Sequence, residues 1–506
     1  MRRASLLLLG TLLSGCAVGP DYEKPDLPAP DSFAAAPTAA RLPSVDPAQW
    51  WRTLGDDELN KLVERAVTAN PDLVIALDRL QQARTQEAVL LGNALPKGDF
   101  AAAAGNGTGS DVTRGRVPST LTSASNTADS PSKQIKQIGG FDATWELDLF
   151  GQYRRAIEAG IYDTEAAAEA RNQVLVSVIA DVVRSYVDLR GLQMRLAVLG
   201  QDIDAATRSR DYVKLRFDHG LTNELDLTLA ERELSSLKAD RAPLAAQADA
   251  ARFTLATLLG RYPEDLTGEL TDIRPIPALP AHIDPGLPLD LIERRPDIRQ
   301  SERQLAAATA RIGVATGNLF PHIGLDASIG TQFDQTGFNA AGGTHIWSLG
   351  PAAYWSILDF GALDAQIDIA DLRTREQLEI YRRSILTAVR EVDSSVEAFS
   401  ALQESVGNLS DALAQAQRAV TLATERYDRG LTDYLNVADA ERRLYALEAQ
   451  LIVAQQGAAE NFVALFRGLG GGWEEFQTVP DIRLPHPAVV AMVERLITPR
   501  HDRFVK

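Results

Sequence analysis

Arg216-Phe217-Asp218-His219-Gly220-Leu221-Thr222 returns as Arg426-Tyr427-Asp428-Arg429-Gly430-Leu431-Thr432, at an offset of 210. Ala230-Glu231-Arg232 and Leu259-Gly260 return at the same offset, as Ala440-Glu441-Arg442 and Leu469-Gly470. So does Trp145 with Phe150-Gly151, as Trp355 with Phe360-Gly361. Upstream the offset is 225: Asn70-Pro71-Asp72 matches Arg295-Pro296-Asp297, and Gly92 to Pro96 matches Gly317 to Pro321. The chain is one unit written twice. The 15 extra residues of the first copy fall between Pro96 and Trp145, around a Gly/Ser/Thr-rich segment from Gly105 to Ser132. That segment reads as a long solvated loop, with Thr331–Thr344 as its shorter counterpart.

Hydrophobic periodicity supports the duplication. An apolar seam runs Leu175, Ile179, Val182, Tyr186, Leu189, Leu192, Leu196, Leu199, Ile203, Ala206, Val213, Phe217. Its partner runs Ile385, Val389, Val392, Val396, Phe399, Leu402, Val406, Leu409, Leu413, Ala416, Ala423, Tyr427. Steps of four and three alternate, as in a coiled coil, and both seams break at the same place. Gly151–Phe217 and Gly361–Tyr427 hold no proline and predict helices of roughly 100 Å. Gly220 and Gly430 supply left-handed caps at their ends. Return helices are expected near Glu224–Leu259, kinked at Pro243, and Tyr434–Arg467. Shorter helices are expected near Pro71–Leu95 and Pro296–Leu319.

Between the helices the period changes to two. Phe141, Ala143, Trp145, Leu147 and Leu149 alternate with Asp142, Thr144, Glu146 and Asp148. Ile323–Ile329 and Trp347–Ile357 alternate likewise, and Gly98–Gly105 does so weakly. A soluble hairpin packed on helices would show the same alternation. So would tilted membrane strands of about 9–11 residues. Four strands cannot close a barrel, and an open edge cannot sit in lipid. Three copies would supply twelve strands.

Composition narrows the function. One Cys excludes a disulfide framework or thiolate metal cluster, and no two of the six His lie at zinc-pair spacing. A formal net charge of −17 opposes binding to nucleic-acid phosphates. Gly468–Gly472 runs into Trp473 rather than Lys and Ser/Thr, so it is no phosphate loop. No catalytic, cofactor or metal site is expected.

Met1-Arg2-Arg3, an apolar run from Leu6 to Leu13 and then Ser14-Gly15-Cys16 describe a secretory signal. Leu13-Ser14-Gly15-Cys16 resembles the bacterial lipoprotein box, which implies cleavage before a lipidated Cys16. Ala17, being non-acidic, then implies the outer membrane. Loss of Arg2 and Arg3 takes the net charge from −17 to −19.

Several stretches together resemble the TolC-like outer-membrane efflux family, in its lipidated OprM/NodT-type branch. They are Cys16 to Tyr22, Trp50-Trp51 with Leu59, Leu291 to Ile298 and the turns at Gly220 and Gly430. The resemblance covers nearly the whole mature chain. It implies a mostly α fold with a small β part: a homotrimeric TolC-type channel. A twelve-stranded outer-membrane β-barrel, four strands per chain, would stand on a long periplasmic helical barrel.

The division expected is a signal peptide 1–15 and an anchor and equatorial segment 16–69. A first repeat 70–264 would hold a β-hairpin 97–149 and a helical tip near 220. A connecting equatorial segment 265–294 would lead to a second repeat 295–472, with hairpin 322–358 and a tip near 430. An equatorial tail 473–506 would follow. The equatorial segments are Pro-rich and irregular, which suits a belt better than a core.

The implied function is a passive exit duct without enzymatic activity, fed by a periplasmic membrane-fusion adaptor and an inner-membrane RND-type pump. The gate would lie at the periplasmic helix tips. Asp439 matches the family's acidic constriction, with Asn436 where relatives carry a second Asp. Asp226 matches a tip residue whose partner is a Tyr, here Tyr427, and Arg426 and Arg429 would reinforce that latch. Ordinary solvated charges beside a turn are the alternative for Asp439. Asp142, Glu146 and Asp148 would line the barrel lumen and give a modest cation preference, unless lumenal arginines pair with them. A type I protein-secretion duct shares the fold; an adjacent gene for a resistance-type pump would separate the two. A periplasmic coiled-coil lipoprotein would explain Cys16 and the heptads but not the strands.

Overall fold

The computed structural model describes residues 17–27, 30, 32–34, 45–108, 133–280, 294–336 and 343–476. Cys16 and the signal segment lie outside these residues, as do most of the Gly105–Ser132 segment, 281–293 and the tail from 477.

The two copies fold with nearly identical dimensions. After a 3-10 helix at Pro47–Leu54 come α1 (Asp57–Ala69) and α2 (Pro71–Asn93). Then follow β1 (Lys97–Thr108), β2 (Lys133–Leu147), α3 (Gln152–Asp218) and α4 (Glu224–Leu258). The second copy gives α5 (Pro296–Gly317), β3 (His322–Thr336), β4 (Gly343–Tyr354), α6 (Ala362–Asp428) and α7 (Tyr434–Gly468). The descending helices α3 and α6 each have 67 residues, and the returning α4 and α7 each have 35. A 67-residue helix is about 100 Å long. Pro243 is carried inside α4 without ending it.

All four long helices stop in the same way. Gly220, Gly260, Gly430 and Gly470 have φ between 66° and 72°. At each, the next N–H reaches back to the carbonyl five residues earlier, as in Leu221 to Arg216 at 2.8 Å and Leu431 to Arg426 at 2.9 Å. This is a Schellman cap, which satisfies carbonyls that the helix end leaves free. The side chain of Asn223 accepts from the Asp226 N–H at 3.0 Å and starts α4.

The strands form one antiparallel sheet in the order β1-β2-β3-β4, so β2 and β3 join the two copies. They are longer than the sequence alternation suggests, 12 or 15 residues each. Ladder pairing extends past the alternating window at Lys133–Gly140, and into Thr331–Thr336, a segment expected to be loop. At the base of the sheet Trp145 donates to the Ala94 carbonyl at 3.1 Å, and Trp355 to the Leu319 carbonyl at 3.0 Å. Phe150 and Phe320 stack at 4.6 Å between the copies.

The core lies midway along the helices. Trp50 stacks on Phe466 at 5.4 Å and packs on Phe462; Trp51, Leu59, Val63, Ile179 and Tyr186 complete the centre. The expectation that the segment before Asn70 is belt rather than core is corrected here. Trp50, Trp51 and the α1 face of Leu59, Leu62, Val63 and Ala66 are among the most buried residues in the chain. The α1 side chains repeat at helical spacing, and burying each of its leucines and Val63 is worth about 1.5–3 kcal/mol.

The two apolar seams are treated unequally. Leu175, Ile179, Val182, Tyr186 and Leu189 of α3 are fully enclosed. Between Leu402 and Ala423, α6 keeps its seam only half buried, and Ile369, Leu372, Leu386 and Leu422 are exposed. Phe217 is also exposed, unlike its counterpart Tyr427.

Candidate functional site

The sheet has two chemically distinct faces. On one, the row Phe100–Phe141–Ile329–Trp347 is aligned by the ladder. These four side chains are 62–73% exposed, and Leu349 beside them is 66% exposed. A contiguous apolar patch of that kind on a folded chain marks contact with lipid or protein. Among the described residues no helix is long and apolar enough to cross a membrane.

The next row, Asp99–Asp142–Ser328–Ser348, lies on the opposite face. The Ser328 and Ser348 hydroxyls are 2.8 Å apart. Asp142 is buried beside Asp99, and its Oδ1 has no hydrogen-bond partner. Glu146 shares this face but is tied at the base of the sheet, accepting from Tyr153 Oη at 2.8 Å and lying 2.5 Å from His322 Nδ1. Asp148 stands apart from both. It follows the end of β2 and accepts from the Tyr153 and Arg154 N–H groups at 3.2 and 2.9 Å. A carboxylate there caps the helix and meets the positive end of its dipole. Asp148 therefore belongs to the start of α3, and register adds Asp99 and Asp326 to the polar face.

At the far end of the helices the expected gate residues separate into groups. Tyr427 is buried, with edge contacts to Tyr434 at 5.5 Å and Tyr212 at 6.4 Å. Burial raises its phenol pKa. Its hydroxyl lies near Thr222 without a well-formed hydrogen bond. Asp226 is buried as well, and its carboxylate accepts from the Thr222 hydroxyl rather than from Tyr427. The arginine that reaches this cluster is Arg216, whose guanidinium lies 4.6 Å from the Tyr427 ring centre. Arg426 is exposed, and Arg429 faces Glu425 at 3.9 Å on its own helix. Asp439 is half exposed and held by Arg442 at 2.7 Å and Arg443 at 3.0 Å. Asn436 is exposed one turn earlier and leans on the Asp433 carbonyl.

Tyr212 and Tyr434 escape a sequence reading as members of this cluster. The repeat aligns Arg216 with Arg426 and so flags both arginines, but it does not say which of them faces the tyrosine.

The model of the outer membrane efflux protein family matches residues 62–261 and 287–471, one stretch in each copy of the repeat. The chain belongs to that family. OprJ, an outer membrane protein of Pseudomonas aeruginosa, is 31% identical over 473 residues, 93% of this chain and 96% of that protein. Nodulation protein T of Rhizobium leguminosarum bv. viciae is 29% identical over 487 residues, 96% of each. Among solved structures, the outer-membrane channel OprN superposes with a TM-score of 0.80 at 33% identity, covering 91% of this chain and all of the other. This outer membrane efflux protein thus has the TolC-type channel fold and its place in the outer membrane. The family consists of outer membrane efflux proteins.

Proposed function

We propose that three copies of this chain close a twelve-stranded barrel on a helical tunnel. This homotrimer would be the passive exit duct of a tripartite efflux system. The observation that carries the proposal is the four-stranded sheet with one exposed apolar face and two open edges. Backbone groups on an open edge cannot be left in lipid, so neighbouring copies must pair with β1 and β4. The exposed apolar residues of α6 give the helices an equivalent reason to associate.

Lipidated Cys16 would anchor the chain. The residues after it are already docked where sheet meets helix. Val18 N–H donates to the Phe150 carbonyl at 3.0 Å, and buried Arg155 holds Val18, Gly19 and Asp21. The anchor then enters the bilayer beside the strands. A periplasmic adaptor and an inner-membrane RND-type pump would load the duct, which carries out no chemistry itself. The closed gate would be the tip cluster around Tyr427, with Asp439 at the constriction.

Purified lipidated protein should run as a trimer in detergent by light scattering. In a planar bilayer it should give small, mostly closed, cation-preferring openings. A monomer without conductance would remove the barrel.

A further inference from the structure

The two β-hairpins share one register. The copies are related by offsets of 225 at β1 and 210 at β2. These shifts turn Lys97 opposite Thr144 into His322 opposite Tyr354, and Thr108 opposite Lys133 into Phe333 opposite Gly343. Those are the two ends of the β3–β4 ladder, so the offsets hold for backbone pairing from end to end. Between the hairpins, β2 pairs with β3, with Trp145 opposite Leu325 and Leu147 opposite Ile323. Carried through the same offsets, this internal seam falls on β4 and β1, the two edges of the sheet.

The edges differ from their internal counterparts in an informative way. β2 continues through Trp145, Glu146 and Leu147, which the ladder joins to β3 and not to β1. β4 stops at Tyr354, and the matching residues Trp355, Ser356 and Ile357 lie beyond it. Phe150 stacks on Phe320 across the internal seam. Its counterpart Phe360 is 98% exposed, with a left-handed φ of 54° that a bulky residue rarely adopts. In the helices below, Arg303 of α5 pairs with Glu165 of α3 at 3.0 Å and lies over the Tyr162 ring, while Arg299 pairs with Glu169. The counterparts of Glu165 and Arg303 are Arg375 and Asp78, opposite charges again but exchanged between the helices. Both are exposed, and Arg375 meets Asp371 on its own helix at 2.7 Å. Leu372 and Val74 stand where Tyr162 and Arg299 do, and both are exposed apolar residues. The Asp163–Arg311 pair is not repeated, since its counterparts are Arg373 and Gln86.

We propose that copies of this chain join by repeating the internal β2–β3 seam in one fixed register. Trp355 then stands opposite the partner's Phe100, Ser356 opposite the partner's Asp99 and Ile357 opposite the partner's Gly98. Phe360 covers the partner's Leu95, and Arg375 meets the partner's Asp78. The pattern of side chains agrees with this register. Trp355 and Phe100 follow the alternation of the apolar face, and Ser356 and Asp99 that of the polar face. A slip of one residue would set each against the wrong face.

The assignment rests on the trimeric barrel, so the experiment separates the two. In the purified lipidated protein, Ser356→Cys with Asp99→Cys should give a covalent trimer on non-reducing gels after diamide oxidation. Ser356→Cys with Lys97→Cys, or with Ala101→Cys, should give little, because diagonal neighbours about 7–8 Å apart exceed the usual disulfide span. Asp78→Arg should lower the denaturant midpoint for trimer dissociation, and adding Arg375→Asp should restore it. A trimer that cross-links through Lys97→Cys or Ala101→Cys instead, or through all three pairs alike, overturns the register and leaves the trimer standing. No loss in Asp78→Arg, or a loss that Arg375→Asp does not rescue, overturns the contact between α6 and the α2 of the next copy. A protein that stays monomeric overturns both the seam and the barrel.

Discussion

Arg216 lies with its guanidinium 4.6 Å from the centre of the Tyr427 ring, joining the end of the first long helix to the end of the second. The same guanidinium is 3.4 Å from the Tyr212 hydroxyl, which in turn donates to Asp428 at 2.9 Å. A cation over an aromatic face is worth about 0.5–2 kcal/mol. Arg216→Ala should therefore raise passive leak by roughly 2- to 30-fold in single-channel recordings. Arg426→Ala should leave it unchanged. Replacing Asp226 and Tyr427 together should also raise the leak, and an unaltered conductance in that double variant would eliminate the latch.

The glycine caps separate backbone preference from packing. A Cβ at Gly430 would meet nothing within 4 Å, whereas one at Gly470 would lie 2.8–3.0 Å from Arg295. Gly430→Ala should cost about 1–2 kcal/mol for its left-handed backbone alone. Gly470→Ala should cost more, because Arg295 is pinned by Asp297, Glu391 and the Gly468 carbonyl. The melting temperature of the purified protein should fall further for the second.

Arg190 ties the amino-terminal segment to α3. It is fully buried, over the Tyr186 ring, and donates to the Asp272 carbonyl at 2.6 Å and Gln193 at 2.8 Å while pairing with Glu58. Arg190→Leu should destabilise by about 3 kcal/mol, seen as earlier denaturation and faster proteolysis. Arg190→Lys should not rescue it, since an ammonium cannot span three acceptors set by a planar fork.

The acidic residues near the sheet should divide by role. Asp99→Asn with Asp142→Asn should lower cation preference, read as a smaller reversal potential in a salt gradient. Asp148→Asn should leave selectivity intact and lower stability by about 1 kcal/mol, because its carboxylate caps α3. A selectivity change in Asp148→Asn would return that residue to the lumen.

Glu441 supplies a pH test of stability. Its folded value is raised to about 7 by burial, above the ordinary carboxylate value. The stabilisation is complete below the unfolded value and is lost as pH rises through about 7. Melting temperature should thus decline from about pH 5 to pH 7 in the natural protein and more gently in Glu441→Gln. Parallel declines in the two would exclude Glu441 as the source.

Local pattern carried much of this fold. Coiled-coil spacing announced α3 and α6, and alternation announced the strands, because each reports only which side of its own element is apolar. Matching glycines at 220 and 430 placed the tips for the same reason, since a left-handed cap is a property of a few adjacent residues. Thr331–Thr336 reads as loop from its polar composition, yet β2 pairs with it along its whole length.

What the sequence alone determined is therefore the duplication, the element types, and a sheet that a single chain cannot close. The tertiary structure decided which of two equivalent residues does what. Arg216 rather than Arg426 covers Tyr427, Asp148 caps a helix, and Trp50 and Trp51 fill the core. A repeat makes its two copies alike in sequence. Packing them against each other gives every matched pair two different surroundings, and these depend on contacts between residues hundreds of positions apart.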